Sequence, residues 1–178
     1  LPDDVFQRGR HLHLSGYTLL VDGSRMAGLA ALDHARLRGM TTSVDVASVG
    51  PLADAGAARF LSWVTGVDVL LANESEAALL AGLPQPRHDG DLDTARAAAD
   101  AGAAVLTATA GTAVVKLGPH GSLARSSEGA TAWADAEAVD VVDTTGAGDA
   151  FAAGFLPAWA AGEGLVTALE RGNRAGAH

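Results

Sequence analysis

The sequence predicts an α/β protein with a mostly parallel sheet, on three observations. Short alternating or fully apolar runs recur between amphipathic stretches of helical length, the pattern of βαβ units with right-handed crossovers. The hydrophobic content is 48%, carried largely by Ala, Val and Leu, with 22 Gly and 4% aromatic residues, which suits close helix–strand contacts between small side chains. A length of 178 residues fits one domain that needs no disulfide or structural metal to bury its core. Residues 1–178 are therefore read as a single domain. The chain begins at Leu1 and stops inside the helical stretch "ALERGNRAGAH", so both ends read as cut.

The elements follow in order. "RHLHLS" alternates, with Leu12 and Leu14 on one face and His11 and His13 on the other, and reads as a strand closing at Gly16. Ser24 opens a helix whose stripe is Met26, Leu29, Ala30, Leu32, Ala35 and Leu37, ended by Gly39. "TTSVDVAS" is a β-branched strand, "DAGAARFLSWVTG" one helix with Phe60, Leu61 and Val64 inward, and "VDVLLA" a buried parallel strand. "NESEAALLAG" is a short helix and "LPQPRHDGD" a loop; an alanine-rich helix starts near Asp93, its end left open between Ala101 and Ala110. "TAVVKLG" is a strand, the stretch around Gly129 an antiparallel hairpin, and "VVDTTGAGDAFAAGFL" a strand-like run leading into the first of two helices.

Composition excludes several classes. A net charge of -9 with 12 scattered Lys and Arg forms no basic stripe, so a nucleic-acid partner is not expected. The absence of cysteine removes thiolate metal sites, disulfides and Cys nucleophiles together. No signal-like segment or bilayer-length apolar run occurs, so no membrane partner is expected and the reading is cytoplasmic. Nucleotide-triphosphate loops with Gly-Lys-Ser/Thr, Gly-x-Ser-x-Gly elbows and His-Glu-x-x-His helices are absent.

In parallel α/β sheets ligands bind where strands end and helices begin, which singles out three junctions. At "DTTGAGDAF", Gly146, Ala147 and Gly148 open a helix and leave backbone N–H groups with the positive end of the helix dipole behind them, a setting for an anion. Asp149 would repel a static phosphate, but makes sense if its carboxylate takes a proton from an attacking hydroxyl while the amides hold the group in transfer. The bland alternative makes Asp149 a favourable first-turn acid and Thr144 or Thr145 the N-cap. A dinucleotide fingerprint fits worse, because Phe151 stands at the third glycine position. At "ANESEA", Asn73 and Glu76 read either as a capping box or as a carboxylate that holds magnesium directly or through water. At "VVKLGPHG", Gly118 and Gly121 read either as a hairpin turn or as backbone lying against a nucleotide, with Lys116 reaching phosphate. His11 and His13 read as structural, Asp45 as a ligand-edge carboxylate or a turn cap, and Trp63, Trp133 and Trp159 as packing residues.

Taken together, "NESE", "KLGPHG" and "DTTGAGDAFAAGF" resemble the ribokinase family, also called the phosphofructokinase-B family of carbohydrate kinases, over essentially the whole chain. The resemblance implies a Rossmann-like domain with helices on both faces of the sheet, which transfers the γ-phosphoryl group of ATP to a hydroxyl of a sugar or nucleoside-like molecule. It implies Asp149 as catalytic base and Gly146, Ala147 and Gly148 as anion hole. Asn73 and Glu76 would act around Mg2+ and phosphate, Lys116 to Gly121 would lie beside the nucleotide, and Asn173 would meet the adenine. Asp143 and Thr145 would form part of a K+ site in members that use that ion. The resemblance covers the later part of a family member; the lid and most sugar-contacting residues fall outside it, and a homodimer of the full-length protein stays open. The rival readings are a noncatalytic nucleotide- or sugar-binding module, an inactive fragment of such a kinase, and a nicotinamide enzyme.

Overall fold

The computed structural model describes residues 10–86, 91–137 and 146–177. Their strands β1 (His11–Ser15), β2 (Thr41–Asp45), β3 (Val67–Asn73), β4 (Ala110–Lys116), β5 (Ser122–Ser126) and β6 (Thr131–Ala134) form one sheet in sequential order. β1 to β4 pair in parallel, and β5 and β6 close the sheet as antiparallel strands. The helices are α1 (Tyr17–Leu20), α2 (Asp22–Leu37), α3 (Val49–Ala55), α4 (Ala57–Val64), α5 (Glu74–Ala81), α6 (Leu92–Leu106), α7 (Ala147–Ala160) and α8 (Leu165–Gly176). None of them is long and apolar enough to cross a membrane.

Side-chain alternation along the central strands builds two cores. Leu70 and Ala72 of β3, with Ala113 and Val115 of β4, pack with Leu32, Phe60, Leu80 and Ala103 of the helices α2 to α6. Val69 and Leu71, with Val114 and Ala124, pack instead with Phe151, Phe155, Leu156 and Leu169 of α7 and α8. The crossover helices thus cover one face, and the last two helices cover the other. Asp68 pins β2 to β3 at the opposite end from the site: its carboxylate accepts from the Thr42 amide at 2.7 Å and the Thr42 hydroxyl at 3.0 Å.

Three expectations need adjustment. The stretch from Asp54 to Gly66 is not one helix, because Gly56 at φ 88° separates α3 from α4. On α2 the buried stripe is Gly28, Ala31, Leu32 and Ala35, while Met26 and Leu37 are among the most exposed apolar side chains. Leu29 is partly buried and packs against the core as expected, whereas Ala30 is exposed, because burial follows the one face that meets β1 and β2. α6 ends at Leu106, and β4 begins at Ala110, two residues before the expected strand. The strand-like run at 141–142 lies outside the described residues.

α7 and α8 pack so closely that a Cβ at Gly154 would collide with the Arg171 carbonyl oxygen and lie 2.9 Å from the Ala175 Cβ. Helix propensity favours Ala over Gly by about 1 kcal/mol, whereas overpacking against backbone costs about 1–3 kcal/mol. Packing therefore wins. Gly154→Ala is expected to lower the urea midpoint of unfolding; an unchanged or raised midpoint would mean that the two helices can move apart without cost.

Candidate active site

Because β1 to β4 run in parallel, their C-terminal ends share one edge of the sheet. Asp45 is the last residue of β2, opposite Ser15 of β1 and Leu71 of β3, and Asn73 at the end of β3 lies opposite Lys116 at the end of β4. The edge is tightly drawn at Gly16, whose amide donates to the Asp45 carbonyl at 2.6 Å. A Cβ there would collide with the Val46 carbonyl oxygen. Two residues past Asp45, Ala47 sits at φ 81°, the one non-glycine with positive φ among the described residues.

Lys116 and Asp45 form an ion pair, Nζ to Oδ2 2.5 Å, with side chains only 16% and 10% exposed. The same Nζ lies 3.2 Å from where a Cβ on Gly148 would stand, which places the ammonium over the first turn of α7. Glycine at 148 leaves that room. Asp45 thus neither caps a turn nor stands free: it holds the lysine at the helix mouth. A largely buried pair of this kind gains little net stability over an apolar pair, so its value lies in the placement of charge.

Asn73 and Glu76 make the capping box. The Asn73 side chain accepts from the Glu76 amide at 2.9 Å, and Glu76 Oε2 accepts from the Asn73 amide at 2.8 Å. A cap of this type stabilises a helix by about 1 kcal/mol. Glu76, however, is 2% exposed, and its burial pushes the carboxyl above the usual glutamate range; the hydrogen bond from Asn73 opposes this, Asp45 adds to it and Lys116 opposes it. A solvent-exposed Glu at the same position would cap as well without that cost.

The N-cap of α7 is Gly146, φ 82°, which among the described residues brings no side-chain cap. The first amides of the helix lack intrahelical acceptors. The candidate caps Thr144 and Thr145, and the candidate cation ligands Asp143 and Thr145, lie outside the described residues. Asp149, in the first turn, is exposed and lines a cavity of about 330 Å³ with His13, Ala152, Ala153, Leu156 and Pro157. The sequence reading took His13 as structural. Its signal was present in the alternation of "HLHLS": Leu12 packs into the cores beneath α2 to α6, so the histidines must face the side that α7 covers.

The nucleotide-side candidates gather elsewhere. Gly118 begins a 3₁₀ turn through His120 that joins β4 to β5, so the hairpin reading of this segment is the geometry observed. Gly121 has φ 88°, and a Cβ on it would collide with the Ala134 carbonyl oxygen. Asn173 donates to that same carbonyl at 3.0 Å and to the Asp135 carbonyl at 3.0 Å, and its Oδ1 accepts from the Ser122 hydroxyl at 2.8 Å. Its amide ties α8 to the β5–β6 hairpin, and Gly121 and Asn173 meet across Ala134.

The raised carboxyl of Glu76 carries a pH signature. A native state that binds the proton more tightly than the unfolded chain loses stability as pH rises from the ordinary glutamate range through the raised value. Glu76→Gln keeps an acceptor for the Asn73 amide and removes the buried charge. Its urea midpoint at pH 7 is expected to exceed that of the parent, with the gap closing toward pH 4; a gap that widens on acidification would contradict the assignment.

A stretch of 70 residues is 49% identical to fructoselysine 6-kinase of Escherichia coli (strain K12), covering 39% of this chain and 26% of that protein. The fold superposes on adenosine kinase from Sinorhizobium meliloti with a TM-score of 0.81 at 27% identity, covering 99% of this chain and 50% of that one. Fructokinase from Vibrio cholerae O395, solved in fructose, ADP and calcium ion bound form, gives a TM-score of 0.70 at 26% identity over 95% of this chain and 54% of that one. The chain thus spans about half the length of these solved relatives. The model of the pfkB family carbohydrate kinases matches residues 1–178, and the chain belongs to that family.

Proposed function

We propose that the protein carrying this chain is an ATP-dependent kinase that transfers the γ-phosphoryl group to a hydroxyl of a sugar or related small molecule. The observation that supports it most is the convergence at one sheet edge of a helix N-terminus opened by glycine, a lysine held over it by Asp45, and an exposed carboxylate beside a cavity. A kinase needs these three parts. Phosphoryl transfer asks the protein to align the groups, spread the developing charge and accept the hydroxyl proton.

Asp149 is the base: it takes the proton from the acceptor hydroxyl as the oxygen attacks phosphorus. The amides of Ala147 and Gly148, with Gly146 freeing the backbone to open the helix, donate to the oxygens of the group in transfer. Lys116 adds a positive charge over the same turn, and its ammonium, with three donors, can reach a phosphate oxygen while it keeps its bond to Asp45. Gly118 and Gly121 shape the nucleotide side, and Asn173 keeps the hairpin in place next to it, with the adenine contact assigned by position in the family motif.

Among the described residues no group of three or more His, Asp or Glu could hold a metal ion. The described residues alone therefore form no closed protein cage for magnesium. A hydrated ion fits the site, since Mg2+ keeps several waters and binds through one or two carboxylates together with substrate phosphates. Glu76, buried at its own cost, is the carboxylate to hold it through water. When bound, Mg2+ neutralises phosphate charge. The K+ site at Asp143 and Thr145 is assigned by motif position alone. Fructokinase with fructose and ADP and the likeness to fructoselysine 6-kinase support a ketose-type acceptor.

Asp149 also separates this reading from a noncatalytic binding module, which has no use for a base facing a cavity. In the complete gene product, assayed with ATP, Mg2+ and fructoselysine, D-fructose or adenosine, Asp149→Asn is expected to lower kcat by about 10²- to 10⁴-fold while ATP affinity stays within about twofold. Full turnover by that variant would remove Asp149 from the chemistry.

A further inference from the structure

We propose that His13 selects the acceptor: its Nε2 accepts a hydrogen bond from a second hydroxyl, next to the one that Asp149 deprotonates. The inference rests on the kinase reading above and adds to it a residue outside the motifs that identify the family.

The argument is a count of protons along a chain of hydrogen bonds. The Thr41 hydroxyl lies 3.2 Å from the Arg10 carbonyl oxygen, which has no hydrogen to give, so Thr41 is the donor. Toward His11 Nδ1 at 2.8 Å the same hydroxyl can then only accept, and the His11 proton sits on Nδ1. A neutral His11 has a lone pair on Nε2, which receives the one proton of Ser43 Oγ at 2.7 Å. Ser43 has no further proton for His13 Nδ1, also at 2.7 Å, and must accept from it. His13 is thereby fixed with its proton on Nδ1 and a bare lone pair on Nε2.

The count requires neutral rings, and the surroundings favour them. Desolvation by the surrounding protein is the largest influence on both imidazoles and lowers both below the ordinary value, His11 being partly buried and His13 still exposed at the cavity. Their mutual proximity lowers His11 further against the pull of Asp68; Asp45 and Asp149 pull His13 up and Lys116 pushes it down. Ser43 is fully buried, so no solvent competes for its hydroxyl.

Nε2 has no hydrogen-bond partner among the described residues, and His13 shares its cavity with Asp149. Two acceptors therefore face one space. A lone pair repels a phosphate oxygen, so this nitrogen belongs to the acceptor and not to the nucleotide. Neighbouring hydroxyls of a polyol supply the two donors that the pair lacks. Ala152, Ala153, Leu156 and Pro157 form the rest of the wall, an apolar surface for the C–H face of a sugar. The cavity is open to solvent, and its volume of about 330 Å³ lies within the range of small-ligand sites, about 300–1,000 Å³.

The test uses the complete gene product with ATP and three acceptor probes: fructoselysine, D-fructose and adenosine. For any probe that the parent phosphorylates, His13→Phe is expected to raise the acceptor KM about tenfold or more, with kcat within about threefold and the KM for ATP unchanged. His13→Gln, whose amide oxygen can take the place of Nε2, is expected to recover most of that loss. An acceptor KM that is the same in His13→Phe as in the parent overturns the proposal, and so do Phe and Gln variants that lose kcat together. A second readout needs no variant: ¹⁵N NMR of the unmutated protein is expected to find His13 protonated on Nδ1, and protonation on Nε2 overturns the proposal even where His13→Phe fails to fold. Transfer by the parent to none of the three probes counts against the kinase reading itself, whereas an active parent indifferent to His13 removes this inference alone.

Discussion

Parallel pairing of β1 to β4 is the constraint on which the site depends. It brings the C-terminal residues of three strands to one edge, where Asp45, Asn73 and Lys116 end their strands. Register does the rest. A slip of one residue would turn each side chain to the opposite face, take Lys116 from the mouth of α7 and put the apolar residues of β3 and β4 against the wrong helix layer. The two cores on either side of the sheet thus fix the geometry of a charged site that gains little from its own contacts.

That site works against stability in several places. Glu76 is a buried carboxylate, the Asp45–Lys116 pair is largely withdrawn from water, and Ala47 occupies a backbone region that costs of order 1–3 kcal/mol. They cluster at one edge while the opposite end of the sheet is conventionally satisfied, as at Asp68 and Thr42. Concentrated local cost at a ligand edge is what a preorganised electrostatic site requires: charges and amides must be in place before the reacting group arrives.

Much of this was legible in the sequence. Alternation in "HLHLS", the apolar run "VDVLLA" and the glycine pair beside Asp149 have local causes, and local causes are what a sequence displays. The capping box of Asn73 and Glu76 was legible for the same reason, since both partners lie within one turn. What was not legible comes from partners distant in the chain: Asp45 meets Lys116 across 71 positions, and the His11–Ser43–His13 chain joins two strands about 30 residues apart. The exposed Met26 and Leu37 on α2 show the converse error, in which hydropathy suggested burial where no opposing element exists among the described residues. The break at Gly56 is of the same kind: glycine permits a positive φ, but only the packing of Leu52 and Phe60 into the core decides that the chain uses it.

The central claim is that the first turn of α7 holds the moving phosphoryl group while Asp149 receives the acceptor's proton. A crystal structure of the complete protein with ADP, Mg2+, a planar metal-fluoride mimic of the phosphoryl group and a bound acceptor tests it most directly. The account predicts the mimic on the amides of Ala147 and Gly148, and an Asp149 oxygen about 2.6–3.2 Å from the attacking hydroxyl. A mimic bound away from α7, or an Asp149 carboxylate turned from the acceptor, would contradict it.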